Sequence, residues 1–242
     1  MRNRTNIIRS TLVIALPFLA AGCGDRGTDT AAADDSATAD TAPAGTAPAG
    51  APSTVETAAP RPDTIRASIS LEGTEEPMTF WLYRSTPEFP IPFTTYVPVD
   101  MAAEPAASAE GQAIRFVAEF GGIRNEQAFL AVAFPPAGLD EAGARGLARA
   151  FAARYEIRTR LPDMPPRYPW SIEEWDFTRD LPGGSRAIGT VALGRHGDRY
   201  FYVATHFPVE YADGFGPRAA RILAQWRWED TGEPLGGEAT GR

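Results

Sequence analysis

The stretch that decides the fold runs from Ala187 to Phe207, AIGTVALGRHGDRYFYVATHF. Its second half alternates, with Tyr200, Tyr202 and Ala204 on one face and Phe201, Val203 and Thr205 on the other. A period of two is the signature of a β-strand, here expected to be half buried. Ala187–Gly194 is equally strand-like, and Arg195–Asp198 between the two runs supplies turn residues. The segment is a hairpin.

Two further hairpins lie upstream. Ile114, Phe116, Ala118 and Phe120 alternate, Gly121–Glu126 turns, and Ala128–Phe134 returns almost wholly apolar before Pro135 and Pro136. A continuous apolar run predicts a strand in the middle of its sheet. Nearer the N-terminus, Ile65, Ala67, Ile69 and Leu71 alternate, Glu72–Glu76 reads as the turn, and Met78, Phe80 and Leu82 alternate again. A proline-rich loop (Pro87, Pro90, Pro92) leads to a short strand at Phe93–Val97, and Ala102–Gly111 reads as a loop of small residues.

Helical spacing occurs twice. Leu139–Tyr155 carries Gly143, Leu147, Phe151 and Tyr155 four apart, with Arg145, Arg149 and Arg154 off that stripe. After an irregular loop over Leu161–Pro169 and a strand through Trp175 and Phe177, Gly216–Trp228 reads as a final helix. Pro217 suits its first turn, and Phe215, Ala219, Ile222 and Trp226 form its stripe. Trp226 and Trp228, two apart, cannot share one helical face, so one of them is expected to point away. The element order predicts an α+β fold, a mainly antiparallel sheet with two packed helices, preceded by a disordered linker.

The 242 residues carry 23 Lys+Arg against 31 Asp+Glu, with no basic run in the folding part. Nucleic acid is excluded as an expected partner, since phosphate neutralisation needs a basic face. All the cations are arginine, which rules out a Schiff-base lysine and a P-loop. The single cysteine, Cys23, rules out an intramolecular disulfide and a thiolate zinc site.

Position explains that cysteine. Arg2, Arg4 and Arg9 form a positive n-region, Thr11–Leu19 an apolar stretch cut by Pro17, and small residues precede Cys23. This is a secretory signal, too short for a spanning helix. Leu19, Ala20, Ala21, Gly22 and Cys23 resemble the bacterial lipobox family, with Ala20 in place of the usual leucine three before the cysteine. The resemblance implies cleavage after Gly22 and lipidation of Cys23, with diacylglycerol on sulfur and an acyl chain such as palmitate on the new amino terminus. Gly24, rather than Asp, implies sorting to the outer membrane, facing the periplasm. Apart from Arg26, Val55 and Glu56, the chain from Gly24 to Pro60 is Ala, Thr, Pro, Gly, Ser and Asp, with almost nothing to bury and with Thr41–Gly45 repeated as Thr46–Gly50. Such a segment is expected to be disordered, spanning about 35 Å as a coil. The expected organisation is signal peptide 1–22, lipidated cysteine and linker 23–61, an α+β domain 62–230 and a disordered tail 231–242.

The domain's layout is similar to the PsbP-like fold. The likeness is carried by the Arg199–Phe207 strand, the Pro208 break and the final helix ending in Gln225, Trp226, Arg227 and Trp228.

No convergent catalytic set stands out. His196 reads as an exposed turn residue; His206, with Glu210 and Asp213 downstream, has no recognised metal-ligand spacing. Glu173, Glu174, Asp176 and Asp180 could supply an acid and base pair, but Ser171 to Glu174 has the spacing of a capping box. Ser185 after Gly183 and Gly184 lacks the pattern of a nucleophile elbow, and Gly121–Glu126 is a polar turn, not a phosphate loop. Trp81, Tyr83, Trp170, Trp175, Tyr200 and Tyr202 are candidates for a stacking surface. The expected function is a membrane-tethered periplasmic lipoprotein with a non-catalytic binding or envelope-assembly domain. Its partners would be the membrane and an envelope protein or glycan, with no cofactor and no metal. The alternative is a tethered hydrolase of envelope polymer using the carboxylates near Trp175.

Overall fold

A computed structural model describes residues 60–158 and 165–236. The signal peptide, Cys23 and nearly all of the 23–61 linker lie outside the described residues, as do residues 161–164 of the Leu161–Pro169 loop. The elements are β1 (Thr64–Leu71), β2 (Thr74–Arg84), β3 (Phe93–Pro98), β4 (Met101–Ser108), β5 (Gly111–Ala118), β6 (Asn125–Phe134) and α1 (Glu141–Ala152). There follow β7 (Glu156–Arg158), β8 (Glu173–Asp180), β9 (Arg186–His196), β10 (Arg199–Pro208), α2 (Ala212–Ala224) and β11 (Arg227–Trp228). The strands form two antiparallel sheets, β1-β2-β3-β11 and β4-β5-β6-β10-β9-β8-β7, with two helices.

The deciding hairpin is β9–β10, its register running from His196↔Arg199 to Ala187↔Pro208 around Gly197 and Asp198. Gly197 turns the chain at φ 57°, open to glycine at no steric cost. The first hairpin also closes tightly, with Glu72 (φ 51°) and Gly73 (φ 81°) as a two-residue turn and Leu71↔Thr74 already paired. β10 is buried on both faces, not half buried as the alternation suggested. Phe201 and Val203 enter one core with the four-stranded sheet and α2; Tyr202 and Ala204 enter a second beneath α1. The seven-stranded sheet is thus covered on both sides, and its central strand has no solvent face.

Ala102–Gly111, expected as a loop, is mostly the edge strand β4, in register from Met101↔Ala118 to Ser108↔Gly111. Its Ala, Ser and Pro side chains give no apolar alternation, and an edge is where a strand tolerates a proline such as Pro105. The three-residue β7 was equally unmarked. In α1 the buried line is Ala144, Ala148 and Ala152, one position round from the expected stripe. Short side chains let the helix sit close to the sheet, and Leu147, Phe151 and Tyr155 flank that contact.

The final helix starts four residues before Gly216, so Pro217 lies inside it, and it stops at Ala224. Trp226 and Trp228 therefore lie beyond it, Trp228 paired with Phe93 through β11, and both are fully buried. Freed from helical geometry, Trp226 stacks on Phe93 at 3.8 Å and meets Trp228 edge-on at 5.5 Å. The fold also continues past Asp230. Trp228 N–H donates to the Glu233 carbonyl, Pro234 bridges Arg227, and Leu235 is buried. At the other end Arg61 donates to Thr94 Oγ1 (2.7 Å) and to the Gln225 carbonyl (2.8 Å), with its guanidinium 4.4 Å from the Tyr96 ring.

Candidate functional site

The end of α2, the segment before β8 and the last described residues enclose an apolar groove of about 430 Å³. Ala220, Leu223 and Ala224 come from α2, Tyr168–Trp170 from the loop, and Pro234–Gly236 from the C-terminal segment. The loop is tied down by Glu174, whose carboxylate accepts the Arg167 and Tyr168 N–H groups at 2.8 and 2.7 Å. Ser171 Oγ lies 2.8 Å from both Glu174 Oε1 and the Tyr168 carbonyl. Ser171 and Glu174 thus brace a turn ahead of a strand, where the spacing had suggested a helix cap.

Tyr168 and Trp170 stack at 5.1 Å, and Trp170 leans on Phe201 at 5.4 Å. A Cβ at Gly194 or Gly236 would fall 2.9 or 2.8 Å from the Trp170 indole, so these two glycines make room for the ring. Burial pushes the Tyr168 hydroxyl up to about 12, leaving it neutral. Small alanines on the helix and two aromatic rings on the loop form a surface suited to apolar contact, with no charged side chain lining it among the described residues.

Of the aromatics expected to form a stacking surface, Trp170 alone lines this groove. Tyr83, Trp175 and Tyr202 are buried, while Trp81 and Tyr200 pack partly buried against the two cores. Tyr168, which does line it, carried no sequence signal.

The carboxylates near Trp175 are engaged in holding the frame. Glu173 Oε2 accepts from Arg145 at 2.6 Å, tying β8 to α1; Asp176 accepts from Thr190 Oγ1 at 2.7 Å; Asp180 pairs with Arg186 at 3.0 Å. Glu174 braces the loop, so each of the four is engaged in holding neighbouring elements together. Ser185 Oγ donates to the Glu210 carboxylate at 2.8 Å, after Gly183 and Gly184 at positive φ, so it belongs to a turn. In the Gly121–Glu126 turn, Arg124 pairs with Glu104, Glu119 and Glu126.

His196 is not the exposed turn residue expected. Its side chain is 10% exposed, its Nε2 lies 2.9 Å from Asp230 Oδ2, and its ring stacks on Trp228 at 4.6 Å. The signal was out of reach because its partners stand more than thirty positions away in the chain.

His206 is 1% exposed and donates from Nδ1 to the Gln127 carbonyl at 2.7 Å, which leaves Nε2 as the bare nitrogen. Phe129 stacks parallel to it at 5.2 Å, with Tyr155 at 5.2 Å and Phe177 at 5.9 Å. Burial lowers its pKa, with Arg179 and Arg115 adding to the effect against the Gln127 bond, so the imidazole is neutral. Gly189 makes this cluster possible: a Cβ there would lie 2.2 Å from the Phe177 ring and 2.1 Å from the Thr205 carbonyl oxygen. Among the described residues no three His, Cys, Asp or Glu side chains gather into a metal site, and no helix is long and apolar enough to cross a membrane.

No family model matches the chain, and no curated protein is significantly similar to it. Among solved structures, one that it matches is LpqN of Mycobacterium tuberculosis, described as involved in cell envelope biogenesis. Identity is 10%, the match covers 61% of this chain and 90% of that one, and the TM-score is 0.36. A score that low establishes no common fold.

Proposed function

We propose that this chain is a lipoprotein tethered through Cys23 to the periplasmic face of the outer membrane, and that its folded domain binds an envelope partner, protein or glycan, without catalysis. The tether reading is supported by the n-region, apolar stretch and Leu19–Cys23 sequence, and by the scarcity of buriable side chains between Gly24 and Pro60. Diacylglycerol with a further acyl chain makes such an anchor effectively permanent, at about 0.8 kcal/mol per buried CH₂.

The observation that carries the binding reading is the apolar groove edged by the Tyr168–Trp170 stack. Stacked rings over short alanines present area at little entropic cost, because aromatic side chains have few rotamers to freeze. No observation favours the hydrolase alternative, whose carboxylates are committed to Arg145, Thr190, Arg186 and the Arg167–Ser171 turn.

Two substitutions test the reading. Cys23→Ser should lose acyl label and leave the membrane fraction; a variant that stays membrane-bound to the same extent refutes the tether. Ala224→Glu puts a charge in the groove at an exposed position, so the fold should survive. A partner cross-linked to the wild-type chain in native envelopes should then be lost. Retention of that partner by a folded Ala224→Glu chain would refute the groove as the binding surface.

A further inference from the structure

Each sheet ends in two edge strands, and three of the four are blunted against further pairing. β4 carries Glu104 and Pro105, β7 is three residues long and β11 two. Short strands, charges and proline are the usual protections of an edge. The fourth edge, β1, has eight residues, no proline and a single charge, Arg66. It pairs with β2 along its whole length and with no other described strand.

The hydrogen-bond phase of the first hairpin says which backbone groups face outward. Leu82 N–H donates to the Asp63 carbonyl at 2.8 Å, and the register continues from there as Thr64↔Trp81 and Ile65↔Phe80. Hydrogen-bonded and non-bonded pairs alternate along an antiparallel ladder, so Ile65, Ala67, Ile69 and Leu71 direct their backbone groups toward β2. The N–H and C=O groups of Thr64, Arg66, Ser68 and Ser70 point the other way, and none has a partner among the described residues. The side chains of these four are exposed, while on the opposite face Ile65, Ala67 and Leu71 are only half-buried beside the cluster of Ile69, Phe80 and Tyr96.

Charge selects the occupant of this edge. Arg66 stands toward one end of it; Glu72, in the hairpin turn, and Glu75, set opposite Ser70 by the register, stand at the other. All three are exposed, and none has an ion-pair partner among the described residues. A second β1 laid antiparallel, with Ser68 facing Ser68, sets Arg66 of each copy opposite Ser70 of the other. Glu75 then lies one strand further on, about 10 Å away between Cα atoms, within reach of an extended arginine and glutamate, and Glu72 lies on the diagonal. The same register sets Ile65 across from Leu71 and Ala67 across from Ile69, apolar against apolar on the half-buried face, and keeps the two arginines apart. A parallel copy in the same alignment would bring like charges together.

We propose that β1 pairs with β1 of a second copy, antiparallel about Ser68, joining the two four-stranded sheets into one. Ser68 with Ser68, and Arg66 with Ser70 twice, supply about six backbone hydrogen bonds. The two Arg66–Glu75 contacts fix register and direction. A twofold contact is closed, since it uses up the same edge on both copies, so association stops at the dimer. The proposal is independent of the groove described above.

Sedimentation equilibrium of the full chain carrying Cys23→Ser, which removes acylation as a cause of association, tests it. A concentration-dependent equilibrium between monomer and dimer is expected. Ser68→Pro removes the central outward N–H at an edge, where strands tolerate proline, and Arg66→Glu and Glu75→Arg each bring like charges together. Each should raise the dimer Kd about tenfold or more and melt as the parent chain does. An equimolar mixture of the Arg66→Glu chain and the Glu75→Arg chain should recover the dimer, because opposite charges then meet at both contacts. These two variants, at exposed positions, keep the test decisive even where Ser68→Pro disturbs β1. A parent chain that stays monomeric at every concentration, a dimer as tight in the charge variants as in the parent, or a mixture no tighter than its components overturns the proposal.

Discussion

Trp226 and Trp228 distinguish the observed fold from the continuous helix their spacing suggests. On one helix face only one of them could be buried, and truncating the other would change stability by no more than about 0.5 kcal/mol. The structure buries both completely, on a turn and a two-residue strand after α2. A buried tryptophan removes roughly 150–250 Å² from water, about 4–6 kcal/mol at 25 cal/mol per Å². Stacking of Trp226 on Phe93 adds about 1 kcal/mol. Against this stand the two indole N–H groups, each buried with no partner among the described residues, a loss of about 1–3 kcal/mol apiece that truncation relieves. Trp226→Ala and Trp228→Ala should therefore each cost about 3–5 kcal/mol, in the range measured for large aromatic truncations. Guanidinium chloride unfolding of each variant gives the number from the shift in midpoint at unchanged slope. A cost below about 1 kcal/mol for either one would refute the double burial.

Gly189→Ala should destabilise by about 1–3 kcal/mol or more, since its Cβ meets a backbone carbonyl and the Phe177 ring inside van der Waals contact; a neutral melt would contradict the close packing there. Asp140 caps α1 by accepting the Gly143 N–H at 2.8 Å, so Asp140→Ala should cost about 1 kcal/mol in the same denaturation assay, and no loss would remove its capping role. The His206 pKa is lowered by folding, so the unfolded chain takes up the proton first as the pH falls below the ordinary imidazole value of about 6.5. Stability should be full above that value and decline as the pH drops toward the folded value. Substituting His206→Leu should flatten that part of the wild-type curve, and identical pH slopes would show that His206 is not held neutral.

The hairpins were legible because their side chains alternate strongly. Ile65–Leu71, Ile114–Ala118 and Tyr200–Thr205 all fall in strands, as their period of two requires. What escaped was structure made by small residues. β4 contributes alanines at a sheet edge, and α1 meets the sheet through Ala144, Ala148 and Ala152, so larger neighbours such as Leu147 and Phe151 drew the expected stripe one position off. The end of α2 was misjudged because Trp226 continues the helical spacing by coincidence, its burial coming from Phe93. The groove was the least legible. It is assembled from residues 168–170, 220–224 and 234–236, none of which is distinctive alone, and only Trp170 invited notice. His196 failed for the same reason, its exposure being decided by Trp228 and Asp230.

The Arg61 clasp bears on how the domain would carry mechanical load. Force drawn along the segment before Pro60 would otherwise arrive at Thr64, the open end of an edge strand paired only to β2, and peel that ladder one bond at a time. Arg61 intercepts it, spreading the pull to Thr94 on β3, the Tyr96 ring and the Gln225 carbonyl at the end of α2. Tyr96 Oη adds a second catch by donating to the Pro62 carbonyl at 2.8 Å. Were the domain held by its N-terminal segment as proposed, it would work as a strain-relieved cable, the pull being taken up by the body of the fold before it could unzip β1.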